Sequence, residues 1–279
     1  MKNKIFIIIS LIFLFSVQLY AGKYSRIISL APSVTESLYD LDMDKEVIAI
    51  TIYCPKGKSQ KEIIGTLLEP YIEKIVMLKP DLIISAKEGN NKAAVEKIQR
   101  LGFEVYVMET AGNFKEICGN FLALAEKLKK EEKAKDLISK AEKEVLSIYS
   151  KTALLPKERV FWEVGAKPLY TTGKHSFIND YNYYTSTVNI YNDINMRYPS
   201  VNIEDVVERN PDVIIMVNMG DISKDEIQNW KKYSAVSAVR NDKVYMIDVN
   251  DIFTPTPSTF AKGVKILAKT IFPEIFGGK

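Results

Sequence analysis

Short apolar runs alternate with amphipathic stretches along most of the chain. Runs at residues 26–30, 47–51, 81–85 and 105–108 predict four strands, and runs at 159–164, 212–217 and 243–247 predict three more. All are of strand length rather than helix length. Between them, residues 35–41, 72–78, 93–101 and 203–209 repeat apolar positions every three or four residues, the period of a helix with one buried face. Strands alternating with helices predict α/β units around mainly parallel sheets.

One stretch breaks this alternation. From Glu131 to Leu154 there is neither Gly nor Pro, and Ala134, Leu137, Ile138, Ala141, Val145, Ile148 and Tyr149 recur at helical spacing among Lys and Glu. This predicts a helix of about 24 residues, roughly 36 Å long. Four predicted strands precede it and three follow. The reading is therefore an N-terminal α/β lobe over 22–130, a connecting helix over 131–155 and a C-terminal α/β lobe over 156–279. An ordinary surface helix of a single domain is the alternative.

An internal echo favours two lobes. The segment from Ile72 to Ile84 matches that from Ile203 to Ile215 at seven of thirteen positions, 131 residues apart. In both, a short helix stops ahead of Pro, which disfavours helical backbone in the residue before it. A buried strand then starts after Asp (Asp81, Asp212). The offset is too long for a solenoid repeat and suits two similar lobes.

The first residues change the picture of where the protein works. Lys2 and Lys4 precede an almost wholly apolar run from Ile5 to Val17, and Leu19-Tyr20-Ala21 supplies a small-residue end. That pattern predicts a signal peptide over 1–21 and a soluble periplasmic protein, with an uncleaved anchor as the alternative. Without those residues, 36 bases face 35 acids. A balance so near neutral argues against a nucleic-acid partner. The chain has two Cys, too few for a disulfide scaffold. Cys118 shares a helical face with Phe114, Ile117 and Phe121, which predicts a buried thiol; a Cys54–Cys118 disulfide is the alternative in an oxidising compartment.

Catalytic signatures are absent. There is no G-x-S-x-G, P-loop, H-E-x-x-H or C-x-x-C, and a single His leaves no room for most metal or triad schemes. The expectation is no catalytic residue, no metal site and no cofactor. What remains are loops at strand ends, where open α/β sheets bind ligands. After the first strand comes Ala31-Pro32-Ser33-Val34-Thr35-Glu36, in which Ser33 and Glu36 have capping-box spacing. Six of the fifteen Tyr fall between Tyr170 and Tyr198. Tyr offers a flat apolar face with a polar tip, suited to stacking on a large planar ligand, and its phenolate can ligate ferric iron. Tyr181 and Tyr184 are expected in the core, and Tyr170 and Tyr198 at the site. His175 is expected at the surface or in a cap.

Several of these segments together resemble one family. Residues 26–36, Ile64-Gly65-Thr66, the run from Glu73 to Ser85, Tyr170-Thr171-Thr172-Gly173, and Pro255-Thr256-Pro257-Ser258 resemble, in order, the periplasmic metal-chelate binding proteins of ABC importers. The likeness is greatest to the cobalamin-binding members. It implies two Rossmann-like lobes joined by one long rigid helix, with a ligand cleft between them. It also implies a monomer that captures a chelate carrying cobalt or iron and passes it to a permease and ATPase complex. Cobalamin is the ligand implied first, because few basic residues stand in the loops, Lys87 and Lys174 being the nearest; a ferric siderophore or haem is the alternative. By the same likeness Pro32, Ser33, Tyr53, Leu67, Gly89, Asn90, Tyr170, Tyr198 and Phe253 are candidate ligand contacts. Glu73 and Glu204, at matching places in the two echoing segments, are candidate permease contacts. Two readings of other classes stand beside this one: an exported α/β hydrolase, and an interaction module without a small ligand.

Overall fold

The computed structural model describes residues 23–218 and 224–277. The expected signal peptide, 1–21, lies outside the described residues. Among those described, no helix is long and apolar enough to cross a membrane. The chain divides into two compact units that interleave along the sequence: residues 23–108 with 124–131, and residues 109–123 with 132–277.

In the first unit, β1 (Ile27–Ser29), α1 (Pro32–Asp40), β2 (Val47–Ile50), β3 (Glu62–Ile63), α2 (Ile72–Leu78), β4 (Leu82–Ala86), α3 (Lys92–Arg100) and β5 (Val105–Met108) follow in order. The strands form one parallel sheet, ordered β3-β2-β1-β4-β5. Ile28, Leu30, Ala49, Ile64, Ile75, Ile83, Val95 and Ile98 make its core, which is why these strands read as nearly continuous apolar runs. Helix α4 (Phe114–Leu128) closes this unit with its last turns, where Leu124, Ala125 and Leu128 are buried and Lys127 pairs with Glu104 at 2.7 Å.

The second unit contains α5 (Glu131–Thr152), β6 (Arg159–Glu163), the hairpin β7 (Gly165–Ala166) and β8 (Leu169–Tyr170), α6 (Ile178–Tyr184), β9 (Val188–Asn189), α7 (Ile203–Arg209) and β10 (Val213–Asn218). It continues through α8 (Lys224–Trp230), α9 (Ser237–Arg240), β11 (Val244–Asp248), α10 (Val249–Ile252), α11 (Pro257–Ile271) and α12 (Pro273–Phe276). Its parallel sheet runs β11-β10-β6-β9. Successive strand residues point to opposite faces. Val160, Trp162, Val213, Ile215 and Val217 therefore enter one core, with Phe260 and Val264 of α11. Phe161, Ile214 and Met216 enter the other, with Trp230 and Tyr191. Helix α5, read from the sequence as a connector, packs Ala141, Val145 and Ile148 into the first of these cores.

The two units repeat one plan. Strands β2-β1-β4-β5 and β9-β6-β10-β11 stand in the same order, so the echoing segments take equivalent places. In each, the short helix ends on a left-handed residue (Lys79 φ 45°, Asn210 φ 43°), then Pro, then Asp. The Asp carboxylate accepts the backbone N–H of the Arg that opens the neighbouring strand, Arg26 to Asp81 at 3.0 Å and Arg159 to Asp212 at 3.0 Å. The Arg side chains donate back to carbonyls at the helix ends, Lys79 O at 3.2 Å and Asn210 O at 3.3 Å. Helix end and strand start are thus locked from the same four positions in both units, with Arg, Pro and Asp shared and Lys79 in the place of Asn210.

Helix α1 corrects one expectation. Its N-cap is Ala31 without a side-chain bond, and Pro32 is its first residue, so Ser33 lies inside the helix and caps nothing. Proline's fixed φ is already helical and its missing N–H is not needed there, so the helix starts two residues before the capping-box spacing suggests. Both cysteines are free and buried. Burial pushes the Cys118 thiol up to about 12 and raises that of Cys54, so neither is an available nucleophile or metal ligand near neutral pH.

Candidate functional site

In both units the candidate residues follow the C-terminal ends of parallel strands, the edge at which open α/β sheets bind ligands. In the first unit Pro32 and Ser33 follow β1, Tyr53 follows β2, Leu67 follows β3, and Gly89 and Asn90 follow β4. Asn90 ties three of these loops together. Its Nδ2 donates to Leu30 O at 2.9 Å and Leu67 O at 3.0 Å, while its Oδ1 accepts from Ala86 N at 2.8 Å. Its amide is therefore used in holding the loops rather than presented outward. Gly89 adopts φ +94°, a left-handed backbone that calls for glycine, and its Cα faces the Leu67 side chain. Pro32, Ser33 and Leu67 are half-buried, whereas Tyr53 is 63% exposed beside the exposed Ile52. Beneath this edge lies a buried hydroxyl layer, with Ser29 Oγ 2.7 Å from Thr35 Oγ1 and Thr51 Oγ1 3.1 Å from Cys54 Sγ. An exposed aromatic ring at this edge suits contact with a flat, partly apolar surface.

In the second unit, Tyr170 ends the hairpin after β6, and the chain from Tyr170 to Gly173 runs beside residues 197–200. Thr171 N donates to Pro199 O at 3.0 Å and Gly173 N to Arg197 O at 2.9 Å. This pairing brings the Tyr170 and Tyr198 segments together. Tyr170 is 39% exposed. Tyr198 is half-buried, its ring 6.2 Å from Phe253, which in turn meets Phe177 edge-on at 5.9 Å. Tyr181 is buried, with its hydroxyl donated to Ile252 O at 3.1 Å, and Tyr184 is half-buried against the same core. Burial raises the Tyr181 and Tyr191 hydroxyls well above their ordinary value, so neither is a phenolate ligand. His175 is exposed and shares a hydrogen bond with Asn195 Oδ1 at 2.7 Å, a surface role.

The sequence reading missed a cation on this loop. Arg197 precedes Tyr198 directly, is half-buried, and donates from Nη1 to Ala111 O at 3.0 Å. Its place next to an expected aromatic contact was the available signal.

Gly173 gives a direct test of the loop pairing. A Cβ there would collide with the carbonyl oxygens of Met196 and Ile194, both backbone atoms that cannot swing away. Gly173→Ala is expected to destabilise by about 1–3 kcal/mol, the usual range for overpacking. Urea unfolding measures it, and a loss below about 0.5 kcal/mol would contradict the close approach described.

Comparison with known proteins defines the class. The family model described as a periplasmic binding protein matches residues 27–250, and the chain belongs to that family. The vitamin B12-binding protein of Vibrio vulnificus is 28% identical over 256 residues, covering 90% of this chain and 91% of the relative. An uncharacterized ABC transporter substrate-binding lipoprotein of Bacillus subtilis is 29% identical over 260 residues, covering 90% and 81%. Among solved structures, a possible iron-binding (periplasmic solute-binding) protein of Staphylococcus epidermidis is similar with a TM-score of 0.78 at 29% identity, covering 90% of this chain and 99% of the other. The chain is thus a substrate-binding protein of the ABC-transporter type and not an enzyme. The readings as an exported hydrolase and as a ligand-free module are set aside.

Proposed function

We propose that the protein captures a corrinoid and delivers it to an ABC permease and ATPase complex. The observation that carries this reading is the pair of exposed tyrosines, Tyr53 in the loop after β2 and Tyr170 in the hairpin that follows β6. Flat amphipathic rings with few cations nearby favour a large ligand of low net charge. The vitamin B12-binding relative, matched over 90% of this chain, supports the same ligand. Arg197 beside Tyr198 supports a second reading, an anionic chelate such as a ferric siderophore or haem, because a guanidinium suits carboxylate groups. In either case the cobalt or iron belongs to the cargo. Calorimetry of the protein against cyanocobalamin, haemin and ferric siderophores decides between them. One-to-one binding of cyanocobalamin is expected; its absence alongside tight haemin or siderophore binding would transfer the assignment.

Tyr198→Ala is expected to weaken that binding by about 1–3 kcal/mol, as loss of an aromatic anchor does. An unchanged affinity in a folded variant would leave Tyr198 as packing for Phe253 only.

Delivery needs a surface that the permease recognises. Glu73 and Glu204 stand in the first turns of α2 and α7, both exposed. Their neighbours are already paired, Lys74 with Glu62 at 2.8 Å and Asp205 with Arg209 at 3.1 Å. Around Glu73 the surface is apolar, with Met77 79% exposed and Val76 and Tyr71 also exposed. A carboxylate set in exposed apolar surface has the composition of an interface. One such Glu on each unit would fix docking orientation by charge.

A further inference from the structure

The second unit contains a cavity of about 260 Å³ that none of the ligand candidates lines. It lies where Glu163, the last residue of β6, faces α8. Glu163 is 0% exposed. Its Oε2 accepts from Trp230 Nε1 at 2.7 Å, but its Oε1 has no hydrogen-bond partner among the described residues. A buried carboxylate oxygen without a partner is costly, so such a group is either neutral or matched by something brought in.

Among the described side chains none matches it. Glu226 approaches Glu163 and is itself acidic, so it adds repulsion. Lys232 also lines the cavity, but its Nζ donates to Asn229 Oδ1 at 3.0 Å, and Asn229 Nδ2 donates to Glu226 Oε2 at 3.0 Å. Among the described lining residues, the cation Lys232 is thus relayed to Glu226 and not to Glu163. The rest of the lining is aromatic and apolar, with Trp230 and Tyr233 rings 5.8 Å apart and Ala166, Leu169 and Ile203 beside them in the lining.

We propose that this cavity binds a small organic ammonium ion, its N–H donating to Glu163 Oε1 and its hydrocarbon part lying against Trp230 and Tyr233. An indole face attracts cations as well as hydrocarbon. A hard metal ion fits less well, since it needs six or so oxygens, and no group of three or more acidic, His or Cys side chains gathers among the described residues. The volume exceeds the roughly 150 Å³ that suffices for a benzene molecule, so a four- or five-carbon amine has room. The site is separate from the proposed corrinoid contacts and does not rest on them.

Its pH dependence has a definite sign. Burial, with repulsion from Glu226, pushes the Glu163 carboxyl up to about 7. Glu163 is therefore neutral in the folded protein below that value, and its charge, which the cation needs, appears as pH rises through it. An alkylammonium stays charged throughout this range.

The test uses the whole protein with n-butylammonium chloride as probe and 1-pentanol as a neutral molecule of similar size. Trp fluorescence and calorimetry at pH 8 should show saturable n-butylammonium binding, at least tenfold weaker at pH 5.5 and at least tenfold weaker in Glu163→Gln. Binding of 1-pentanol should be weaker than that of the amine at pH 8. The absence of amine binding at pH 8, equal binding of 1-pentanol, or an unchanged affinity in Glu163→Gln overturns the proposal. Should Glu163→Gln fail to fold, Glu226→Gln decides, since it removes a half-buried charge at the cavity while leaving the Trp230 bond intact. A two- to fivefold loss sustains the site and no change overturns it.

Discussion

Replacing Phe260 by alanine is expected to lower stability by about 3–5 kcal/mol, the range for losing a fully buried aromatic ring. Phe260 is 0% exposed and sits in the middle of a stack, its ring 4.3 Å from Tyr181 on one side and 4.6 Å from Phe114 on the other. The edge of Tyr184 meets it at 6.1 Å. Truncation removes the central ring and leaves two outer rings facing a void they cannot both fill, because each is held elsewhere. Tyr181 is tied by its hydroxyl to Ile252 O, and Phe114 N–H is donated to Asp180. Urea unfolding with an unchanged slope measures the loss, and Phe260→Leu should recover more than half of it. A loss under 1 kcal/mol for the alanine variant would mean the stack collapses at little cost.

The second large effect concerns delivery. In a protein carrying Glu73→Arg together with Glu204→Arg, ligand affinity should stay the same while uptake in cells falls at least tenfold. ATPase stimulation of a reconstituted permease should fall with it. The reasoning is electrostatic. Each residue is an exposed carboxylate in a first helical turn, where the helix dipole alone would explain a Glu. A helix-dipole role predicts a small loss of stability and full uptake. A docking role predicts normal stability and lost uptake, because reversing two separated charges converts attraction into repulsion at the point of encounter. Full uptake by the double variant would remove the docking assignment.

Much of this fold is legible in the sequence, because long apolar strands and one buried face per helix carry strong periodic signals. Helices 72–78 and 203–209 and strand 105–108 occur at the expected bounds. The strands β3 and β9 and the hairpin β7–β8 are two residues each, too short for any period to show. They owe their place to the neighbours they pair with. The start of α1 was misplaced because proline's rigidity outweighed a capping pattern. Among the candidate contacts, Tyr170 was expected from the cluster of tyrosines it opens, whereas Tyr53 came only from the family likeness. The clamp made by Asn90 was not legible, since its partners Leu30 and Leu67 are 60 and 23 residues away. Glu163 was hidden for the same reason: it reads as one polar residue ending a strand, and only Trp230, 67 residues on, reveals its burial.

The interleaving of the two units has a consequence for how the chain matures. Residues 124–131 complete the first unit, yet they follow 109–123, which belong to the second. As the polypeptide is synthesised from its N-terminus, the first sheet is finished at residue 108 but still lacks Leu124, Ala125 and Leu128 over its core. Residues 109–123 meanwhile wait for everything after 131. The first unit is complete only when the chain has reached residue 131, and the second cannot be completed from residue 132 onward alone. A stop after residue 108, or a fragment beginning at 132, would therefore yield an unfinished body rather than an autonomous half.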